Sequence, residues 1–116
     1  EHKVECHLIV AGQERRLASE AEVMIFRIVQ EAIRNIRKHS QASKAEVTVK
    51  FEQKGTTITV KDNGVGFQLL ESVGDLTRAG KLGLAGMQER AQLLGGSLSI
   101  QSELGKGTTI VVKAPV

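Results

Sequence analysis

Apolar and polar positions alternate in register with two periods along this chain, and the switches between them divide it into elements. VECHLIV (4–10) reads as a short strand, followed by a polar connection, AGQERRL. Ser19 followed by Glu22 resembles a capping box and predicts a helix opening near residue 20. That helix runs through EVMIFRIVQEAIRNIRKHS to about His39, with Ile25, Val29, Ala32, Ile33 and Ile36 as its buried stripe. AEVTVKF (45–51) and TTITVKD (56–62) alternate with period two and are rich in β-branched residues. The short EQKG between them suits a hairpin turn. From Asn63 to Gly83 the pattern dissolves into glycines and mixed polar residues, with one helical turn expected at FQLLES. A second helix follows, LAGMQERAQLLGG (84–96), stopped by Gly95-Gly96. SLSIQS (97–102) and TTIVVKA (108–114) form a second hairpin across ELGKG.

The order is strand, helix, two strands, irregular segment, helix, two strands. It predicts an α+β layout, with helices covering one face of a mixed, mostly antiparallel sheet of about five strands. Residues 1–116 are enough for a single domain with a core of its own. The irregular stretch exceeds the usual loop length, and such loops inside compact domains carry function or are disordered.

Composition narrows the classes. One cysteine, Cys6, forbids an intrachain disulfide and suits a cytoplasmic setting. No apolar run is long enough to span a bilayer, and EHKVECHLIV is too polar for a signal peptide. The chain opens on Glu1 rather than Met, which reads as a domain excised from a longer protein that itself could be membrane-anchored. The net charge of +3 favours anionic partners such as phosphates. Nucleic acid is the poorer fit: there are three Phe, no Tyr and no Trp to stack on bases, and no Lys/Arg block.

Four stretches carry chemistry. In EAIRNIRKHS (31–40), Glu31, Asn35, Lys38 and His39 fall within a sector of about 100° beside the apolar stripe. For a helix taken alone a solvated face accounts for them, although Asn is a poor interior helix former and Asn35 suggests a contact. In VKDNGVGF (60–67) a strand ends at Asp62. A hairpin turn is the plain reading, but no returning strand follows Gly66. The alternative puts Asp62 at a strand end facing a ligand, with Gly64 and Gly66 allowing close approach. In KLGLAGMQERAQ (81–92), Gly83 and Gly86 flank a helix N-terminus, where backbone N–H groups favour anions. The spacing is not that of a Walker A loop. GKGTTIVV (105–112) is a turn, or else places Gly107 and Thr108 against the same pocket.

Taken in order, these motifs resemble the ATP-binding catalytic domain of sensor histidine kinases, a two-layer α/β sandwich known as the Bergerat fold. The resemblance covers nearly the whole chain. FRIVQEAIRNIRKHSQAS and the short lid, Phe67 to Leu82, are most similar to kinases that signal to NarL-type response regulators. The resemblance implies ATP and Mg²⁺ as ligands. EAIRNIRKH would be the N box: Asn35 holding Mg²⁺, Glu31 acting as base or water-positioning group near the γ-phosphate, and Lys38 and His39 near the phosphates. DNGVG would be the G1 box, with Asp62 reading the adenine amino group and Gly64 and Gly66 bordering the base. GLAGM would be the G2 box, bringing Gly83, Leu84, Gly86 and Met87 to the nucleotide. Thr108 would support the adenine contact through water. Nothing here reads as the dimerising helical hairpin that carries the acceptor histidine. His2, His7 and His39 do not suit that role. The chain is therefore expected to bind ATP, to remain a monomer, and to need a separate phosphoacceptor domain. The rival readings are an anti-sigma-factor type serine kinase and a non-catalytic binding module of the same fold.

Overall fold

The computed structural model describes residues 3–66 and 83–116. Strand β1 (Glu5–Gly12) leads to helix α1 (Ser19–Asn35), which continues into a π-helical turn (Ile36–Ser40). Strands β2 (Lys44–Glu52) and β3 (Gly55–Asp62) form a hairpin, and after the segment 67–82 come α2 (Leu84–Leu93), β4 (Ser97–Glu103) and β5 (Gly107–Ala114). The helical turn expected at FQLLES and the lid Phe67–Leu82 lie outside the described residues. The five strands make one sheet in the order β1-β2-β3-β5-β4. β1 runs parallel to β2, and the other three pairings are antiparallel.

Period-two burial shows which face is covered. Ala45 and Val47, then Thr56, Ile58, Val60 and Asp62, then Ile110, Val112 and Ala114 are buried while their neighbours are not. Both helices pack on that face, where Leu84, Met87 and Ala91 of α2 and Leu94 just beyond its end join one core cluster. β1 is the uncovered edge: Leu8, Ile9 and Val10 are all exposed.

The deep line of α1 differs from the expected stripe. Ala21, Ile28, Ala32 and Ile36 are buried, whereas Ile25, Val29 and Ile33 only flank the core. The seam facing the sheet recurs at i, i+4 and i+8 from Ile28, so the true centre sits on one side of the run of apolar residues. Ile28→Ala is expected to cost about 2–5 kcal/mol, because the 1 % exposed side chain leaves a cavity the sheet cannot fill. Denaturant unfolding measures it, and Val23→Ala on the exposed face serves as the near-neutral control.

The capping box is also corrected. Ala18, not Ser19, is the N-cap, and it makes no side-chain cap. Glu22 instead accepts from Arg16 Nε and Nη2 at 2.8 Å each and from the Leu17 N–H at 3.1 Å, which holds its pKa down at about 2. The carboxylate reaches back past the helix start because the Arg16 fork offers it two charge-assisted bonds.

Candidate functional site

Asp62 is the last residue of β3, on the covered face of the sheet, and only 5 % exposed. Its Oδ1 accepts the Gly64 N–H at 2.8 Å, and a second backbone bond comes from Thr108. Burial pushes its pKa up; the two backbone donors pull the other way without cancelling that rise. Two N–H groups use only part of what a carboxylate can accept, so the group keeps capacity for a donor from outside.

Asp62 opens into a cleft between α1, the end of β3 and β5. Asn35, Ser40, Gly66, Leu84 and Thr108 share its lining, over an apolar floor of Ile36, Val60, Ile100 and Ile110. Asp62 is the sole ionisable group among the described lining residues. The shape is that of a small-molecule site: mostly apolar, with few polar groups.

Glycines fix the rim. A Cβ on Gly64 would lie 2.3 Å from the Ser40 carbonyl oxygen, and one on Gly66 (φ +63°) would lie 2.1 Å from that of Glu103. What comes close at these two positions is thus the protein's own backbone. Ser40 O accepts the Val65 N–H at 2.7 Å, and Val65 O accepts the Gly105 N–H at 2.7 Å, so the segment after β3 is strapped between the π turn and the β4–β5 turn. Asn63 completes the strap: its Oδ1 accepts the N–H groups of Ser43 and Lys44 at 3.0 and 2.9 Å. This structural role of Asn63 has no signature in the sequence beyond a turn-forming residue type.

The described N-box groups, Glu31, Asn35 and Lys38, do not all share one cleft. Asn35 lines the cleft, and Glu31 lies one turn back, half-buried, with Oε2 2.6 Å from where a Gly83 Cβ would sit. Gly83 is the N-cap of α2 at φ +65°, so Glu31 borders the positive end of that helix. Lys38 is exposed on another groove, beside Phe26, Ile33 and Arg37. The π turn causes this: an i→i+5 turn carries more residues per revolution than an α-helix, so positions beyond Ile36 leave the expected sector. The His39 side chain lies outside the described residues. Of the G2 residues, Leu84 lines the cleft, Met87 is fully buried in the core, and Gly86 passes beneath Arg90, whose Nη1 lies 3.0 Å from a Cβ placed there. Thr108 Oγ1 lies 2.9 Å from Ser102 Oγ, which steadies the far wall.

No group of three or more His, Cys, Asp or Glu among the described residues could hold a metal. The Asn35 carboxamide at the cleft does fit Mg²⁺, a hard cation that takes few protein oxygens and completes its shell from phosphate and water. No helix among the described residues is long and apolar enough to cross a membrane.

Residues 20–116 match the family model described as histidine kinase-, DNA gyrase B- and HSP90-like ATPase. The chain is 39% identical over 116 residues to the signal transduction histidine-protein kinase/phosphatase DegS of Bacillus subtilis, covering 98% of this chain and 30% of DegS. It is 35% identical over 102 residues to the oxygen sensor histidine kinase NreB of Staphylococcus carnosus, covering 88% of this chain and 28% of NreB. The chain therefore spans under a third of the length of these curated relatives. Among solved structures, the ATP binding domain of PrrB from Mycobacterium tuberculosis superposes with a TM-score of 0.79 at 25% identity, covering 97% of this chain and 79% of that one. The sheet-and-helix layering is that of the histidine kinase ATP-binding domains, the Bergerat fold.

Proposed function

This chain belongs to the histidine kinase-, DNA gyrase B- and HSP90-like ATPase family, and from that premise we propose that it binds Mg-ATP and donates the γ-phosphate to a histidine on a separate dimerisation domain of a two-component sensor kinase. The observation that carries the proposal is the buried Asp62 carboxylate at the end of β3, in one cleft with Asn35 and Thr108 and beside the start of α2. A carboxylate with spare acceptor capacity in an apolar slot suits the amino group of adenine. Asn35, one wall away, would hold Mg²⁺, which would neutralise phosphate charge there. Glu31 is the group assigned to the acceptor's proton or to the orientation of the attacking nucleophile. Gly64, Gly66 and Gly83 act by letting backbone pack against backbone or against Glu31, which sets the cleft's rim. Catalysis on this reading is positioning and charge stabilisation, as in other phosphoryl transfers. The acceptor hairpin and a NarL-type response regulator are the partners, and the site works on the cytoplasmic side as a single domain.

The test uses γ-labelled ATP. The chain alone is expected to take up no label, and a phosphoacceptor hairpin added as a separate chain is expected to become labelled on histidine. Asn35→Asp should slow transfer by about 100-fold, the order seen when one transition-state contact is lost, and should alter the Mg²⁺ dependence of binding. Unchanged transfer and Mg²⁺ dependence in that variant would refute the role given to Asn35.

A further inference from the structure

We propose that a second cleft, on the far side of Glu31 from Asn35, is an arginine clamp for the terminal phosphate of a nucleoside triphosphate, so that the domain distinguishes ATP from ADP. The inference rests on the nucleotide-binding reading above and goes beyond it by assigning Arg27, Arg34 and Arg90.

The cleft lies between α1 and α2 and is lined by Arg27, Gln30, Glu31, Arg34 and Arg90. Arg27, Glu31 and Arg34 recur at i, i+4 and i+7 on α1 and so share one face. Arg90 enters from α2 and lies over Gly86, toward that helix's first turn. Three arginines and one carboxylate thus line the same cleft.

Their partners are what make the cluster informative. Arg27 donates to the Gln30 carboxamide oxygen at 3.1 Å, and among the described residues none of the three arginines forms an ion pair, with Glu31 or any other acid. Arg15 and Arg16, by contrast, are engaged: Arg16 makes two 2.8 Å bonds to Glu22, and Arg15 binds the carbonyls of Glu52, Gly55 and Val116, whereas Arg37 lies apart on another groove. Three unpaired cations gathered at one place keep their charge available for an anion from outside.

Position says which anion. Glu31 is one helical turn, about 6 Å, from Asn35. It also touches Gly83 at the N-terminus of α2, where a helix end favours negative charge. A nucleotide with its base at Asp62 and its inner phosphates at Asn35 therefore extends its last phosphate toward the Glu31 cleft. There Glu31 alone would repel it. The arginines reverse the sign of the local field, and the guanidinium fork matches phosphate oxygens two at a time. ADP stops short of this cleft and gains nothing from it.

The experiment is calorimetric titration of the chain with the ATP analogue AMPPNP and with ADP, both with Mg²⁺. The wild type is compared with Arg27→Gln, Arg34→Gln, Arg90→Gln and the triple variant. The wild type is expected to prefer AMPPNP. The preference should fall several-fold in the single variants and disappear in the triple one, while ADP affinity stays within about twofold of wild type. Retained ADP binding also reports that the variants fold. A triple variant that keeps the wild-type ratio of AMPPNP to ADP affinity overturns the clamp alone. A folded wild type that binds neither nucleotide overturns the nucleotide reading and the clamp with it.

Discussion

Asp62→Asn is expected to weaken adenine nucleotide binding by about 10- to 100-fold while leaving the fold intact. A hydrogen bond to a charged group contributes about 1.5–3 kcal/mol, and about 1.4 kcal/mol is tenfold in affinity. The substitution does more than remove charge. Gly64 donates to Oδ1, so it holds the oxygen of an asparagine and leaves the NH₂ in the place of Oδ2, where it would meet the amino group donor to donor. Stability should move the other way. Burial raises the pKa of Asp62 in the folded chain above that of the unfolded one, so the folded state binds the proton more tightly. The wild type is therefore most favoured, relative to the variant, below the ordinary aspartate pKa. It loses that advantage as pH rises through the elevated folded pKa, and the difference is flat above it. At neutral pH the variant is expected to melt no lower than the wild type. Calorimetry and thermal melts across the acidic range measure both effects; equal nucleotide affinity in the two proteins would remove Asp62 from the site.

Gly107→Ala is the second large effect, and it joins fold to site. Gly107 has φ +80°, and a Cβ there would lie 2.1 Å from the Asp62 carbonyl oxygen and 3.0 Å from its carbon. Left-handed backbone in a residue other than glycine costs of order 1–3 kcal/mol. The overlap adds to that, since a backbone carbonyl has no rotamer to escape into. The expected loss is about 3 kcal/mol or more, with Asp62 and Thr108 displaced from each other. Gly105→Ala is the matched control: its φ is +79°, but a Cβ there meets nothing within 4 Å. The difference between the two variants isolates the overlap. Equal melting temperatures would mean that β5 can draw away from Asp62, and that the two sides of the cleft are not held by this contact.

Much of this architecture was legible because its signals are local. The alternation in AEVTVKF and TTITVKD located β2 and β3 to within a residue, and Gly95-Gly96 marked the end of α2 within two or three. The features that escaped depend on contacts far apart in sequence. The parallel pairing of β1 with β2 follows from where α1 returns the chain to the sheet. The π turn exists where Ser40 folds back on itself, Oγ to the Ile36 carbonyl at 2.7 Å, and receives Val65 from beyond β3. A 100° helical wheel cannot contain that contact, and Lys38 lines a different groove from Asn35. The same wheel put Ile25, Val29 and Ile33 in the buried stripe and left Ile28 out of it, because only the sheet decides which of the adjacent apolar lines lies deepest. For the site, the sequence marked Asn35, Asp62 and Thr108 separately, and the antiparallel pairing of β3 with β5 brings the last two together. Gly64 and Gly66 stood out as glycines, but their neighbours, Ser40 and Glu103, had no mark.

The most direct test of the account is titration of the folded chain with a non-hydrolysable ATP analogue, with and without Mg²⁺, against GTP as control. Saturable binding that selects adenine and strengthens with Mg²⁺ is the expected result. No binding, or equal binding of GTP, from a sample shown to be folded would contradict the assignment of the Asp62 cleft to adenine.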